Sequence, residues 1–174
     1  MSTREANPIR QLISCRNEFL LTDTKIIGVY ERLLAVFGPQ SWWPAQTQFE
    51  MVIGAILTQS VAWGNAEKSI KAIKEMDLLA PAALRNISPT ELSRVIHPSG
   101  YHNIKARRLK AFVQHLGTTY DDDLNRFLSQ GVSSLREELL TIYGIGEETA
   151  DSIILYAGSK PVFVIDAYTR RIIG

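Results

Sequence analysis

The chain has 174 residues, of which 45% are hydrophobic and 21% are charged, and its formal net charge is +1. This length and composition suit one globular core and exclude a disordered chain, and no apolar run reaches the roughly 20 residues that span a bilayer. One cysteine, Cys15, excludes an internal disulfide and any site built from several thiolates of this chain. We therefore expect a monomeric, cytoplasmic protein without membrane association, whose binding function is encoded in local motifs rather than in net charge.

Apolar residues recur at helical spacing along nearly the whole chain, whereas alternation sustained over the length of a strand does not occur. This pattern predicts an all-α fold. The first predicted helix carries an apolar stripe over residues 26–37 and ends at Gly38-Pro39. The second, around residues 52–57, is almost uncharged and is expected to form the centre of the core.

The next predicted helices each show one apolar face. One spans residues 66–74 with isoleucines inward and lysines outward, and another opens with Ser88-Pro89-Thr90-Glu91, a capping box with proline at the first helical position. A third carries apolar residues from 109 to 116. These segments predict three further helices.

Short helices are predicted towards the C-terminal end. One follows Asp121-Asp122-Asp123, one is capped by Ser133 or Ser134, and one covers residues 147–156. A last helix begins after Asp166, and its Ile172-Ile173 pair has little to pack against if nothing follows. We therefore expect the natural domain to continue beyond residue 174.

The Gly144-Ile145-Gly146 turn joins two of these helices. The N–H groups of such a turn and of the following helix lack intrahelical partners, and glycines let an anion approach without a Cβ in the way. The turn therefore indicates a phosphate-binding hairpin. The alternative is that the glycines only end one helix and loosen the connection to the next. Glu147 and Glu148 complicate the phosphate interpretation, because acidic side chains repel phosphate.

Asp166 is the candidate catalytic carboxylate. The helix before it is roughly 18 Å long, and the extended segment 159–165 retraces up to roughly 23 Å, so Asp166 can return to the hairpin. Aspartate is also a favoured N-cap, and by itself capping is the plainer interpretation of this residue. The two roles are compatible, because a carboxylate beside a bound phosphodiester can stabilise the oxocarbenium-like charge of glycosidic-bond cleavage.

Three motifs resemble those of the endonuclease III superfamily of DNA glycosylases. The sequence LREELLTIYGIGEETADSIILYAGSKPVFVIDAYTRR, at residues 135–171, resembles its helix-hairpin-helix and Gly/Pro…Asp signature. FEMVIGAILTQSVAW (49–63) resembles its central helix, and HPSGYHNIKARRLK (97–110) resembles its Gly-Tyr-x-x-Lys-Ala helix. These motifs look closer to endonuclease III-related proteins and endonuclease III-like 3-methyladenine glycosylases than to endonuclease III itself.

The resemblance implies one multi-helix glycosylase domain over residues 1–174, truncated at its C-terminal end. Its helix-hairpin-helix lies at about 135–158 and its catalytic loop at 159–167. Asp166 takes the place of the catalytic aspartate, and the implied partner is double-stranded DNA containing a damaged base. The residues assigned to DNA binding are Gly144, Ile145, Gly146, Thr149, Gln59 and Lys105.

The resemblance also bears on cofactors. Family members often hold a monovalent cation on the carbonyls of the hairpin, while Gln59 falls where many have a glutamine near the flipped nucleotide. A [4Fe-4S] cluster is implied only if residues beyond 174 supply cysteines, so we expect no cofactor from side chains of this chain. The three histidines show no spacing suited to a metal site.

Glu148 departs from the family, in which bifunctional members carry a lysine at this position. A carboxylate cannot form the Schiff base of a β-lyase, so we expect hydrolysis with water as the nucleophile. Trp42, Trp43 and Tyr101 are candidate walls for a flipped base, because an electron-rich ring favours a cationic alkylated purine. Trp63 is assigned to packing.

Four basic residues, Lys105, Arg107, Arg108 and Lys110, form the densest positive cluster. One interpretation makes them phosphate contacts, and the plainer one makes most of them the solvated face of an amphipathic helix.

Three functions fit these observations. A monofunctional glycosylase acting on alkylated purines agrees with Glu148 and with the tryptophan segment. A bifunctional endonuclease III-type glycosylase and AP lyase acting on oxidised pyrimidines agrees with the superfamily but lacks the lysine. A non-catalytic helix-hairpin-helix module needs the phosphate clamp but not Asp166.

Overall fold

The computed structural model describes residues 23–40 and 43–173, and every regular element in these ranges is helical. The all-α prediction is confirmed. Cys15 and Trp42 lie outside the described residues. The helices are α1 Asp23–Phe37, α2 Gln48–Leu57, α3 Trp63–Glu75, α4 Pro81–Asn86, α5 Pro89–Val95, α6 His102–Tyr120, α7 Leu124–Leu128, α8 Val132–Thr141, α9 Glu147–Ser152 and α10 Ala167–Ile173. A 3-10 turn at His97–Ser99 precedes α6, and a π-helical turn at Ile153–Ala157 continues α9.

The chain divides into two compact units, residues 1–42 and 43–174. In the first unit, α1 spans the predicted apolar stripe and ends where the sequence predicts. The N–H of Gly38 donates to the carbonyl of Leu34 over 2.8 Å, and Gly38 has a φ of +66°, so glycine closes this helix in the left-handed region.

The second unit is built around α2. Val52, Ile53, Ile56 and Leu57 are fully buried, because α2 is surrounded by α3, α6 and the π-helical turn. The nearly uncharged sequence of α2 is therefore explained by burial on most of its sides, and the predicted central helix is confirmed.

Helix starts follow the predicted capping residues at most positions. The Ser88 hydroxyl accepts from the N–H of Glu91 over 3.2 Å, and the Glu91 carboxylate accepts from the N–H of Ser88 over 3.3 Å, which confirms the capping box. The prediction for α8 is wrong in detail. Gly131 occupies the N-cap without a side-chain bond, and Ser133 and Ser134 lie inside the helix.

The π-helical turn was not predicted. It ends at Gly158, where a Cβ would lie 2.8 Å from the carbonyl oxygen of Ile154, so only glycine fits this close approach. The carbonyl of Ile154 also accepts from the N–H of Lys160 over 3.1 Å. The turn thereby redirects the chain from α9 towards the segment that carries Asp166.

Among the described helices, none combines the length and the apolar character needed to cross a membrane.

Candidate active site

The turn between α8 and α9 forms the hairpin predicted from its glycines. Gly144 has a φ of +82°, and Ile145 is buried in the core. The N–H groups in the first turn of any helix lack intrahelical acceptors. Gly146 is the N-cap of α9 and provides no side-chain acceptor for them. A salt bridge of 2.7 Å between Arg136 and the buried Asp151 joins the two helices. The hairpin is therefore a turn that a salt bridge stabilises and whose backbone N–H groups at the start of α9 have no capping side chain.

Gln59 lies in the turn that follows α2 and binds the hairpin directly. Its side-chain Nε2 donates to the carbonyl of Gly144 and to the hydroxyl of Thr149, each over 2.9 Å. Arg108 of α6 donates through Nη1 to the Oε1 of Gln59. We call Gln59, Arg108, Gly144 and Thr149 the Gln59 network. It connects α2, α6 and the hairpin through side-chain hydrogen bonds.

Asp166 caps α10, as the sequence predicts. Its carboxylate accepts from the N–H of Thr169 over 2.6 Å, and hydrogen bonds from the backbone and side chain of Thr169 lower the pKa of Asp166 below its usual range. Asp166 is only partly buried. The result is an ionised carboxylate at a helix start that remains accessible to solvent.

Glu148 lies near enough to Asp166 for the two charges to interact. Although part of its side chain is exposed, desolvation raises the pKa of Glu148, the negative charge of Asp166 raises it further, and Arg170 opposes this rise. This effect of the Asp166 charge agrees with the expected return of Asp166 towards the start of α9. Two neighbouring carboxyl groups with pKa values shifted in opposite directions are typical of acid–base sites.

Residues 53–174 match the family described as HhH-GPD superfamily base excision DNA repair protein. The chain belongs to this superfamily. A protein of Methanocaldococcus jannaschii that is named a DNA repair glycosylase is 43% identical over 147 residues, which cover 84% of this chain and 67% of that protein. Endonuclease III of Thermotoga maritima is 28% identical over 128 residues, which cover 71% of this chain and 54% of that enzyme. The chain thus spans about two thirds of the first relative and about half of the second.

Two solved structures share the fold. The H. pylori 3-methyladenine DNA glycosylase bound to 1,N6-ethenoadenine superposes with a TM-score of 0.76 at 30% identity, covering 88% of this chain and 73% of that one. A non-covalent endonuclease III–DNA complex superposes with a TM-score of 0.72 at 20% identity, covering 88% and 68%. The endonuclease III-like helical fold is confirmed, and the chain is a DNA repair glycosylase of the HhH-GPD superfamily.

Aromatic side chains cluster beside α2. The Trp43 ring lies 5.7 Å from that of Trp63 and 5.5 Å from that of Tyr156. We call these three residues the aromatic cluster. The indole of Trp43 packs against Gly54 of α2, where a Cβ would lie 3.3 Å from the ring. Of the two predicted pocket residues that the structure describes, Trp43 belongs to the cluster and Tyr101 does not. Trp63 and Tyr156 were not predicted to line a pocket, although Trp63 lies within the quoted central-helix motif.

Tyr101 lies apart from these rings. It is 70% exposed and has a φ of +45° at the start of α6, so it lines no enclosed pocket in this structure. A cavity of about 360 Å³ opens beside Trp43 and Trp63, but neither Asp166 nor Glu148 is among its lining residues. The two carboxylates therefore do not form part of the wall of this cavity.

The basic cluster of α6 is dispersed by the fold. Lys105 is 1% exposed, and its amino group donates to the carbonyls of Leu57 and Ser99. It therefore cannot reach a phosphate here, which corrects its assignment to DNA binding. Lys110 likewise donates to the carbonyls of Arg85 and Ile87. The four residues have separate environments because successive positions of a helix face different directions.

Lys105→Met tests the role of the buried amino group. Burial, and to a lesser extent Arg108, lower the pKa of Lys105 from 10.5 to about 8. The unfolded chain therefore binds more protons between about pH 8 and pH 10.5, and Lys105 adds stability as the pH rises through this window. Urea unfolding measures the free energy of unfolding of the wild type and of Lys105→Met at each pH. The wild-type value minus the Lys105→Met value should increase from about pH 8 to pH 10.5. The exposed Lys68→Met variant is the control, and a difference that does not change with pH would contradict this assignment.

The side chains and carbonyls of the described residues limit which metals and cofactors this chain can hold. Within the part of the chain that is described, no group of three or more His, Cys, Asp or Glu side chains is arranged to hold a metal. The hairpin carbonyl of Gly144 accepts from Gln59 and that of Ile142 accepts from the N–H of Ile145. Each carbonyl oxygen has a second lone pair, so neither hydrogen bond prevents these oxygens from also binding a monovalent cation. A [4Fe-4S] cluster needs four thiolates and does not fit the single Cys15.

Proposed function

We propose that this chain is the core of a monofunctional DNA glycosylase, which hydrolyses the N-glycosidic bond of a flipped damaged base in double-stranded DNA, with alkylated purines as its main substrates. The observation that carries the proposal is Asp166, a carboxylate that the N–H of Thr169 holds at the start of α10 over 2.6 Å and that remains accessible to solvent. A DNA-binding module needs only the hairpin, whereas a glycosidic-bond hydrolase needs a carboxylate beside it.

Asp166 supplies the negative charge for the reaction. Water attacks C1′ of the sugar, the N-glycosidic bond breaks, and its electron pair leaves with the base. Positive charge develops on the sugar in the transition state, and the ionised carboxylate, held by the start of α10, stabilises it or orients the water. A cationic alkylated purine leaves as a neutral base, so one ionised carboxylate suffices for it.

Glu148 supports hydrolysis over lyase chemistry. The start of α9 offers a carboxyl group and no amine at this position, and a carboxyl group cannot form a Schiff base with C1′. The raised pKa of Glu148 makes it the more easily protonated member of the pair. This agrees with water, rather than a side chain, as the nucleophile.

The aromatic cluster supports alkylated purines as substrates. Tyr156 belongs to the π-helical turn that continues α9, so the cluster borders the helix that carries Glu148. Electron-rich rings stabilise a cationic base, and the similar H. pylori enzyme is named a 3-methyladenine glycosylase. We propose that Trp43 stacks on the flipped base, that the protein acts as a cytoplasmic monomer, and that a monovalent cation binds the hairpin carbonyls.

The test uses duplexes that carry a methylated purine, thymine glycol or an abasic site. After incubation, each is analysed with and without alkali and after treatment with borohydride. With the methylated purine we expect enzyme-dependent strand breaks only after alkali, and with thymine glycol we expect no excision. The abasic duplex should break only to the extent that alkali alone breaks it. Breaks without alkali or a trapped covalent complex would refute monofunctional hydrolysis. Binding without excision would leave only the DNA-binding module.

A further inference from the structure

The hairpin lacks a positive charge of its own. The first turn of α9 carries Glu147 and Glu148 and no basic residue, and the nearby Arg136 is already paired with Asp151. The two carboxylates oppose the attraction that the free N–H groups exert on a phosphate. A hairpin that binds a DNA phosphate therefore needs a cation from another element.

Arg108 of α6 lies directly against the turn. Its side chain occupies the space that a Cβ at Gly144 would fill, and its Nε lies 2.7 Å from the position of that Cβ. Two independent features therefore require glycine at position 144. Its φ of +82° is unfavourable for other residues, and the side chain of Arg108 leaves no room for a Cβ. This contact places a guanidinium group at the edge of the proposed phosphate site.

The guanidinium has donors to spare. Nη1 donates to Gln59, whereas Nε is buried without any hydrogen-bond partner and Nη2 has none among the described residues. Buried donors without partners are rare and call for an explanation. In contrast, Lys105 and Lys110 of the same helix each donate to two backbone carbonyls. Because Nε is buried, Nη2 is the donor of Arg108 that a phosphate can reach, and it belongs to a side chain that lies against the turn.

We propose that Arg108 completes the phosphate site of the hairpin: its guanidinium and the N–H groups at the start of α9 together bind one phosphodiester of the DNA backbone. Through Gln59, the same side chain holds the Gly144 carbonyl in place. The proposal rests on the DNA binding proposed above. It explains how a turn followed by two glutamates binds a polyanion, and it separates Arg108 from the rest of its basic cluster.

The salt dependence of DNA binding tests this proposal. The dissociation constant of an undamaged duplex is measured over a range of salt concentrations for the wild type, Arg108→Gln and the exposed neighbour Arg107→Gln. Arg108→Gln should reduce the slope of log K against log salt by about 1, as the loss of one phosphate contact requires, and Arg107→Gln should change it much less. Equal slopes for Arg108→Gln and the wild type would overturn the proposal.

Two further measurements separate contact from positioning. Gln59→Leu breaks the network but keeps the guanidinium, so it should weaken binding while preserving the salt slope. A scan with single neutral methylphosphonates should find one phosphate whose neutralisation weakens the wild type but not Arg108→Gln. If Arg108→Gln does not fold, the uncharged Arg108→Met is scanned instead. The proposal would be overturned if every neutralised phosphate weakened binding by this variant as much as it weakens binding by the wild type. A wild type that binds no duplex would instead refute the proposed function.

Discussion

Asp166→Asn should lower the rate of base excision by about 100-fold or more and leave the fold and the affinity for DNA nearly unchanged. Asparagine keeps a side-chain oxygen that can accept from the N–H of Thr169, so the cap of α10 survives the substitution. It removes the negative charge that stabilises the sugar in the transition state. Single-turnover excision from a methylated-purine duplex, together with thermal unfolding and DNA binding, measures the three quantities.

A second helix cap provides the matched control. Asp123 caps α7 by accepting from the N–H of Arg126 over 2.9 Å, which is the same arrangement in a different part of the fold. Asp123→Asn should leave the excision rate close to that of the wild type. Unchanged excision in Asp166→Asn would remove Asp166 from the reaction and leave it as a cap only. An equal loss in both variants would trace the effect to stability rather than chemistry.

The lowered pKa of Asp166 also sets the direction of a pH effect. Because its folded pKa lies below the unfolded value, the stability that Asp166 contributes is present above the unfolded pKa and is lost as the pH falls through the folded pKa. The raised pKa of Glu148 has the opposite consequence, because its contribution is lost as the pH rises through its folded pKa. Both shifts therefore stabilise the folded protein most when Asp166 is ionised and Glu148 is protonated. This combination is favoured at pH values between the pKa of Asp166 and the pKa of Glu148.

Local chemistry made part of this site predictable from the sequence. The hairpin and the cap at Asp166 depend on residues close together in the chain, namely the glycines of the turn and an aspartate at a helix start. The expected return of Asp166 to the hairpin rests on helix length and the reach of an extended segment. These inferences needed no knowledge of how distant helices pack.

The remaining features depend on tertiary packing. Lys105 and Arg108 are separated by one helical turn and have the same charge. Lys105 is buried and donates to the carbonyls of Leu57 and Ser99, whereas Arg108 lies against the hairpin. Nothing in the basic run itself distinguishes the two. The π-helical turn was not predicted for a related reason. A single π-helical turn shifts the helical spacing of the apolar residues by about one position, and this shift is too small to recognise in the sequence.

Glu148→Lys should convert part of the reaction from hydrolysis to lyase chemistry. The protein atoms that raise the pKa of the Glu148 carboxyl group by desolvation would lower that of an amine at the same position, although the charge of Asp166 would oppose this change. A neutral amine can attack C1′, the base leaves with the electron pair of the N-glycosidic bond, and the opened sugar is held as a Schiff base. Borohydride reduces that bond, so a covalent protein–DNA complex should appear on a denaturing gel.

Glu147→Lys is the matched control for this gain of function. It makes the same change in charge at the adjacent position, and Glu147 lies on the side of the turn that faces Arg136, 4.0 Å from its guanidinium. Both variants should bind DNA more tightly than the wild type, because each replaces a negative charge at the start of α9 with a positive one. Only Glu148→Lys should be trapped by borohydride. Trapping of both variants would show that any amine near the hairpin suffices, and trapping of neither would place Glu148 out of reach of C1′. After either result, the lack of an amine at position 148 would no longer be a reason to expect hydrolysis.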